Sequence, residues 1–180
     1  MNVLITGDIH GRLEVTKRLE KVIQVFQPEQ IVLLGDYLYN GPRNGVPKDY
    51  DPMGVCDILN RYSGMIVGVR GNCDSRIDET VLRFKLENSR TVFFNGYRCN
   101  LVHGDLLSSD LLTVQRGDIL MFGHTHLYML KEEDGLIYLN PGSPSFPKNG
   151  NPPTFALMDG RKIEIRSLDD GSVISSMDLR

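Results

Sequence analysis

Residues 2–11 read NVLITGDIHG: an apolar run, Val3-Leu4-Ile5, halts at Gly7 and meets Asp8, His10 and Gly11 at once. A short run that is apolar on both of its alternating faces predicts a strand covered on both sides, the condition of parallel sheets. Over 12–26, Leu13, Leu19, Val22, Ile23 and Phe26 mark one face of a helix that must end before Pro28. A second apolar run, 31–34 (IVLL), again halts at a glycine, Gly35. A helical stretch over 55–62 and a third run, 65–69 (MIVGV), ending at Arg70-Gly71, complete the pattern. Strand and helix thus alternate through the first half, as in α/β folds. Residues 35–52 between the second strand and the second helix are rich in Gly, Pro and Asn, and loops of that length are usually functional.

The second half changes character. Residues 91–94 and 98–102 flank Asn95-Gly96, 128–133 and 136–139 flank Asp134-Gly135, and 155–158 and 162–167 flank Asp159-Gly160. Asn-Gly and Asp-Gly between alternating runs are hairpin signals. Residues 119–122 read as a further buried strand and 172–177 as a last one. The expectation is one domain over 1–180: two sheets packed together, helices outside, and strands that mostly feed loops on one edge, where α/β folds place ligands.

Composition narrows the classes. A net charge of −3 argues against a broad basic footprint for long nucleic acid or anionic lipid. Cys56, Cys73 and Cys99 have no paired spacing, which speaks against a disulfide framework or a zinc ribbon. Asp8 and His10 come too early for a signal peptide, and no apolar run approaches a membrane span. The expected setting is the cytoplasm, with free thiols and no membrane, and the exposed hairpins leave a homo-oligomer open.

The polar residues then fall into a pattern. Five apolar strands end in Gly7-Asp8-Ile9-His10-Gly11, Gly35-Asp36, Gly71-Asn72-Cys73-Asp74, His103-Gly104-Asp105 and Gly123-His124-Thr125-His126. The chain has four histidines, and all four lie in these loops. A lone strand-end His or Asp is commonly a structural or turn residue. Five such loops in sequence are a different matter. Carboxylate, imidazole and amide oxygen without thiolate suit manganese, iron, zinc, nickel or cobalt. Seven donors exceed the need of one ion, whereas two ions about 3.5–4 Å apart with one bridging carboxylate use them all.

In these blocks the chain resembles the calcineurin-like metallophosphoesterases, whose pattern runs Asp-x-His, Gly-Asp, Gly-Asn-His-Asp/Glu, His, Gly-His-x-His. Gly-Asn-Cys-Asp, Gly-Pro-Arg-Asn (41–44) and Asn-Pro-Gly-Ser (140–143) are similar to the small bacterial and archaeal phosphodiesterase branch. The resemblance implies two mixed β-sheets packed as a sandwich flanked by α-helices, a four-layer α/β/β/α arrangement. It implies one divalent ion on Asp8, His10, Asp36 and His126, and a second on Asp36, Asn72, His103 and His124, with Asp36 bridging and Mn2+ the leading choice. The activity implied is hydrolysis of a small phosphoester by direct attack of hydroxide generated between the ions.

Two positions depart from the family. The Gly-Asn-His histidine that protonates the leaving group is Cys73 here, and the aspartate that holds it is Tyr39. Absence of both partners favours esters with acidic leaving groups, since general acid catalysis, worth about 10²–10⁴-fold, matters most for poor ones. Cys73 reads as a small filler or a proton donor, and Asp74 as a residue orienting a ligand histidine. Arg43 is the candidate grip on a phosphoryl oxygen, with Asn44 and Lys148 as lesser ones. A phosphomonoesterase, a nucleotide pyrophosphatase and a non-catalytic scaffold like the small retromer subunit remain alternatives; Asp36 and Asn72 stand against the last.

Overall fold

The structure, a computed structural model, describes residues 1–105 and 113–180. Strand β1 (Asn2–Thr6) leads into helix α1 (Leu13–Phe26), β2 (Gln30–Leu33), α2 (Pro52–Arg61) and β3 (Ile66–Val69). Then come β4 (Leu86–Glu87), β5 (Ser89–Phe94), β6 (Tyr97–Val102), β7 (Ile119–Met121), β8 (Tyr128–Glu133), β9 (Leu136–Pro141), β10 (Thr154–Asp159), β11 (Lys162–Ser167) and β12 (Val173–Asp178).

They form a seven-stranded sheet, ordered β12-β11-β10-β1-β2-β3-β4, and a five-stranded sheet, ordered β5-β6-β7-β9-β8. Both are mixed. β1 through β4 run parallel while β10 is antiparallel to β1. β6, β7 and β9 run parallel between antiparallel edge strands.

Alternation along each strand divides the core. Val3 and Ile5 of β1, Val32 of β2 and Ala156 and Met158 of β10 meet Cys99, Leu101, Ile119, Met121 and Leu139 of the other sheet. The intervening residues Leu4, Ile31, Leu33, Phe155 and Leu157 face Val15, Leu19, Val55 and Leu59 of the two helices. The runs are therefore apolar throughout because both faces are covered. The sandwich of two mixed sheets flanked by helices is the expected architecture. Among the described residues both helices cover the seven-stranded sheet, so they draw three of the four expected layers. The outer face of the five-stranded sheet carries a small cluster, Val102, Leu120 and Phe122.

Boundaries moved for identifiable reasons. Helix α2 begins three residues before the expected start because Asp51 accepts the Gly54 N–H at 2.9 Å and Pro52 occupies the first turn. Strand β4 has only two residues and carries no periodic signal. The Asn95-Gly96 and Asp134-Gly135 hairpins form as expected, both residues of each pair having positive φ.

Candidate metal centre

Every loop singled out in the sequence leaves the carboxyl end of a parallel strand. β1 delivers Asp8 and His10, β2 delivers Asp36 and β3 delivers Asn72; across the sandwich β6 delivers His103 and β7 delivers His124 and His126. The first sheet thus contributes both carboxylates and the amide, and the second contributes three of the four imidazoles. Asp8, His10, Asp36, His103 and His126 are buried, whereas His124 is half-buried and Asn72 exposed.

The backbone is strained where the donors sit. Nine described non-glycine residues have φ in the left-handed region, and five are candidate ligands: Asp8 (52°), His10 (54°), Asp36 (58°), His124 (64°) and His126 (60°). Each costs on the order of 1–3 kcal/mol unless its surroundings enforce it. The enforcement is visible. Backbone N–H groups of Asp8 and His10 donate to the carbonyls of Gly35 and Asp36 at 2.9 Å each. Ser143 and Ser145 hydroxyls donate to the carbonyls of Asp8 (3.0 Å) and Ile9 (2.6 Å), while Asn140 donates to the Gly123 carbonyl at 2.8 Å. Gly71 lies so close to Asp36 that an added Cβ would collide with its backbone N and carboxylate.

Three rings have one nitrogen committed to a backbone carbonyl. Nδ1 of His10 meets the Tyr39 carbonyl (2.9 Å), Nδ1 of His103 that of Leu34 (2.7 Å) and Nδ1 of His126 that of Phe146 (2.8 Å). A carbonyl only accepts, so each Nδ1 carries the hydrogen and a neutral ring turns the Nε2 lone pair into the site. Nε2 of His10 and Nε2 of His126 then face each other at 3.2 Å. Two neutral rings in this tautomer have no hydrogen to share.

Carboxylate oxygens complete the cluster. Asp8 Oδ2 accepts the His124 backbone N–H at 3.0 Å, but its buried Oδ1 has no hydrogen-bond donor and lies 3.5 Å from His126 Nε2. Asp36 Oδ2 lies 3.7 Å from His10 Nε2 and 3.5 Å from His103 Nε2, between the two halves of the cluster. Asn72 Oδ1 lies 3.0 Å from His103 Nε2 and 2.8 Å from His124 Nδ1. Donor atoms of Asp8, His10 and His126, and separately of Asp8, Asp36 and His103, fall within 4.8 Å of one another.

Electrostatics agree with a site for cations. Burial lowers the pKa of His10 and His124, leaving them neutral. Burial works the same way on His103, yet the Asp36 carboxylate overrides it and raises the ring to about 9. Burial would raise Asp36, but its contacts with His103 hold it at about 2. This part of the site demands positive charge.

Asp74 corrects an expectation. It touches no ligand histidine; it accepts backbone N–H groups of Asp36 (2.8 Å), Tyr37 (2.8 Å) and Gly71 (2.7 Å). Burial nonetheless pushes its carboxyl up to about 6, against the N–H donors. Histidine orientation falls to backbone carbonyls, which sequence does not display. Cys73 donates its backbone N–H to Asp36 Oδ1 at 2.8 Å, and burial, then the charge of Asp36, push its thiol up to about 12.

Arg43, Asn44 and Lys148 come together with His10, Asp36, Asn72, Cys73, His124 and His126 around one cavity of about 440 Å³. The Asn44 amide already donates to the Asn40 carbonyl at 2.7 Å, which commits it to the loop. Sequence reading missed Arg12. It pairs with Asp49 (2.8 Å), donates to the Ser145 carbonyl (3.2 Å) and stands 5.5 Å over the Phe146 ring, bracing the residue whose carbonyl holds His126. No local signal marks it, since its partners lie far along the chain. The Asn140–Ser143 segment was noticed, but not its hydroxyl and amide contacts to the loops.

The chain is similar to several known proteins. The calcineurin-like phosphoesterase superfamily domain matches residues 1–162. Phosphodiesterase YfcE of Escherichia coli (strain K12) is 35% identical over 179 residues, 98% of this chain and 97% of its own. The solved structure of that E. coli phosphoesterase superposes with a TM-score of 0.95 at 34% identity, covering 100% of both chains. Wild-type Vps29 of Entamoeba histolytica, solved in complex with zinc, superposes with a TM-score of 0.67 at 22% identity over 100% of both chains, a likeness of fold. The fold, the strand-edge loops and these matches agree: the chain is an enzyme that belongs to the calcineurin-like phosphoesterase superfamily.

Proposed function

We propose that the chain is a phosphodiesterase working with two divalent metal ions in the cytoplasm, manganese first among them, on a small phosphoester. The observation that carries this is the pair of Nε2 atoms of His10 and His126, 3.2 Å apart with both Nδ1 atoms committed, beside the donorless Oδ1 of Asp8. A buried carboxylate oxygen without a donor costs on the order of 1–3 kcal/mol or more, and a cation removes that cost. Asp8, His10, Asp36 and His126 would hold one ion, and Asp36, Asn72, His103 and His124 the other. Zinc, nickel, cobalt and iron also suit this donor set.

When bound, such ions polarise a phosphoryl oxygen and lower the pKa of water. The chain's own residues do the rest. Backbone carbonyls fix the tautomers of His10, His103 and His126. Arg43 and Lys148 offer positive charge across the cavity to a phosphoryl oxygen. Burial pushes the Cys73 thiol up and nothing marks it as an activated nucleophile, which suits attack by water and an acidic leaving group that departs unaided. The retained set of donors speaks for catalysis over a scaffold role.

The test is hydrolysis of bis(p-nitrophenyl) phosphate by metal-stripped protein, before and after manganese, with His124→Ala in parallel. Turnover is expected only with metal, and His124→Ala is expected to lose more than the roughly 10–100-fold that partners of ligands cost. A folded protein inert with manganese, nickel, cobalt and zinc alike would overturn the diesterase reading in favour of a monoesterase or a scaffold.

A further inference from the structure

Beside the cavity of the candidate ligands lies a second one, of about 450 Å³, with a different lining: Leu38, Tyr39, Tyr50, Met53, Ile77 and Val81 supply its apolar wall. Cys73 lines both, so the two spaces adjoin at its side chain. Tyr39, Met53 and Ile77 are 47%, 55% and 72% exposed. Exposed apolar side chains scattered singly need no explanation, but three converging on one groove mark a binding surface. The polar cavity offers imidazoles, Arg43 and Lys148 to an anion; the groove offers two phenol rings, a thioether and branched aliphatics to something uncharged. Rings and a thioether favour an aromatic occupant over an alkyl chain. Asp78 adds selectivity at the rim, where its carboxylate accepts the Ser75 N–H at 2.7 Å and disfavours an anionic substituent.

We infer that this groove is a subsite for an uncharged aromatic group esterified to the phosphorus, seated on Tyr39, Tyr50, Met53 and Ile77 while the phosphoryl group lies over the candidate ligands. The inference rests on the phosphodiesterase reading and deepens it by naming the diesters preferred: those with an aromatic substituent over those with two small alkyl groups. Specificity then resides in residues that touch no metal.

The experiment is calorimetric titration of the manganese-loaded protein with phenylphosphonate and with methylphosphonate, which share an anionic head and have no bond to cleave. Phenylphosphonate is expected to bind at least about tenfold more tightly, the worth of burying most of one ring. The ratio of the two affinities is expected to fall toward one in Met53→Ser/Ile77→Ser, with each single variant intermediate. A second readout is independent of turnover: in zinc-loaded protein the Met53 methyl resonance should shift with phenylphosphonate and stay in place with methylphosphonate. Equal affinities in protein that still hydrolyses bis(p-nitrophenyl) phosphate would overturn the inference and leave the diesterase reading intact. Failure of both phosphonates to bind, together with absent turnover, would overturn both. Concentration-dependent self-association abolished by Met53→Ser/Ile77→Ser would assign the groove to a second copy of the chain instead.

Discussion

Asp8, Asp36 and His103, on the floor of the candidate centre, are exposed by no more than 2%, and the surrounding backbone holds all three. Across the same cavity Arg43, Asn44 and Lys148 are exposed on loops shaped by local bonds such as Asn44 to the Asn40 carbonyl. The floor accepts left-handed backbone and buried charge, both unfavourable, because two packed sheets enforce them. Arg43, Asn44 and Lys148 themselves lie outside the left-handed region. On the proposed reading chemistry is built into the fold, while recognition hangs on side chains whose loss should leave the fold undisturbed.

Asp36→Asn attacks the floor at its centre and should have the largest effect. Asparagine tolerates φ near +58° about as well as aspartate, so the change removes charge and spares the backbone. If two ions share this carboxylate, loss of kcat/KM by about 10³-fold or more is expected, with weaker metal uptake by calorimetry. Near-normal activity would place the bridging charge elsewhere.

Asp74→Asn comes next and probes the support beneath the floor. An amide in place of the carboxylate faces at least one of the three backbone N–H groups with another donor. A buried donor left unmatched costs about 1–3 kcal/mol. Thermal denaturation should record a drop of a few degrees, at about 2–4 °C per kcal/mol for a chain of this size. An unchanged Tm would show that the loops of Asp36 and Gly71 hold without this carboxylate.

Arg43→Ala tests the rim. A charge-assisted contact is worth about 1.5–3 kcal/mol when dry and less when exposed, so kcat/KM should fall about tenfold with Tm unchanged. A fall in Tm would blur the distinction between floor and rim, and full activity would remove Arg43 from recognition.

Cys73→Ala should do least. Burial and the charge of Asp36 push the thiol up, and nothing marks it as an activated proton donor. The pH profile of kcat between pH 6 and 10 should keep its shape, and the rate should stay within about threefold, below what general acid catalysis contributes. An inflection present in the native enzyme and missing in the variant would make Cys73 a proton donor after all.

The candidate ligands were legible because they stand at strand ends, in loops that each carry a glycine, with every histidine of the chain among them. Their left-handed φ values were not, since Asp and His have no glycine-like mark of such a conformation. The role of Asp74 was misread because its partners are backbone N–H groups. The helix α2 start was misplaced because Asp51-Pro52 lies before the first apolar position, and capping, not periodicity, sets the end. The aromatic groove was invisible: Tyr39, Tyr50, Met53 and Ile77 come from three separate segments and share no period.

By itself the sequence determined the alternating strand and helix order, the hairpins, the strand-edge loops and the identity of every candidate ligand. Each of these is written in local pattern: apolar period, turn chemistry, and residue types with their spacing. Only the tertiary structure decided which nitrogen of each ring faces the site, that Asp36 lies between two clusters, that Asp8 keeps an oxygen without a donor, and that an apolar groove adjoins the cavity at Cys73. Those facts depend on contacts between residues 20 to more than a hundred positions apart, and the packing of one sheet on the other brings them together.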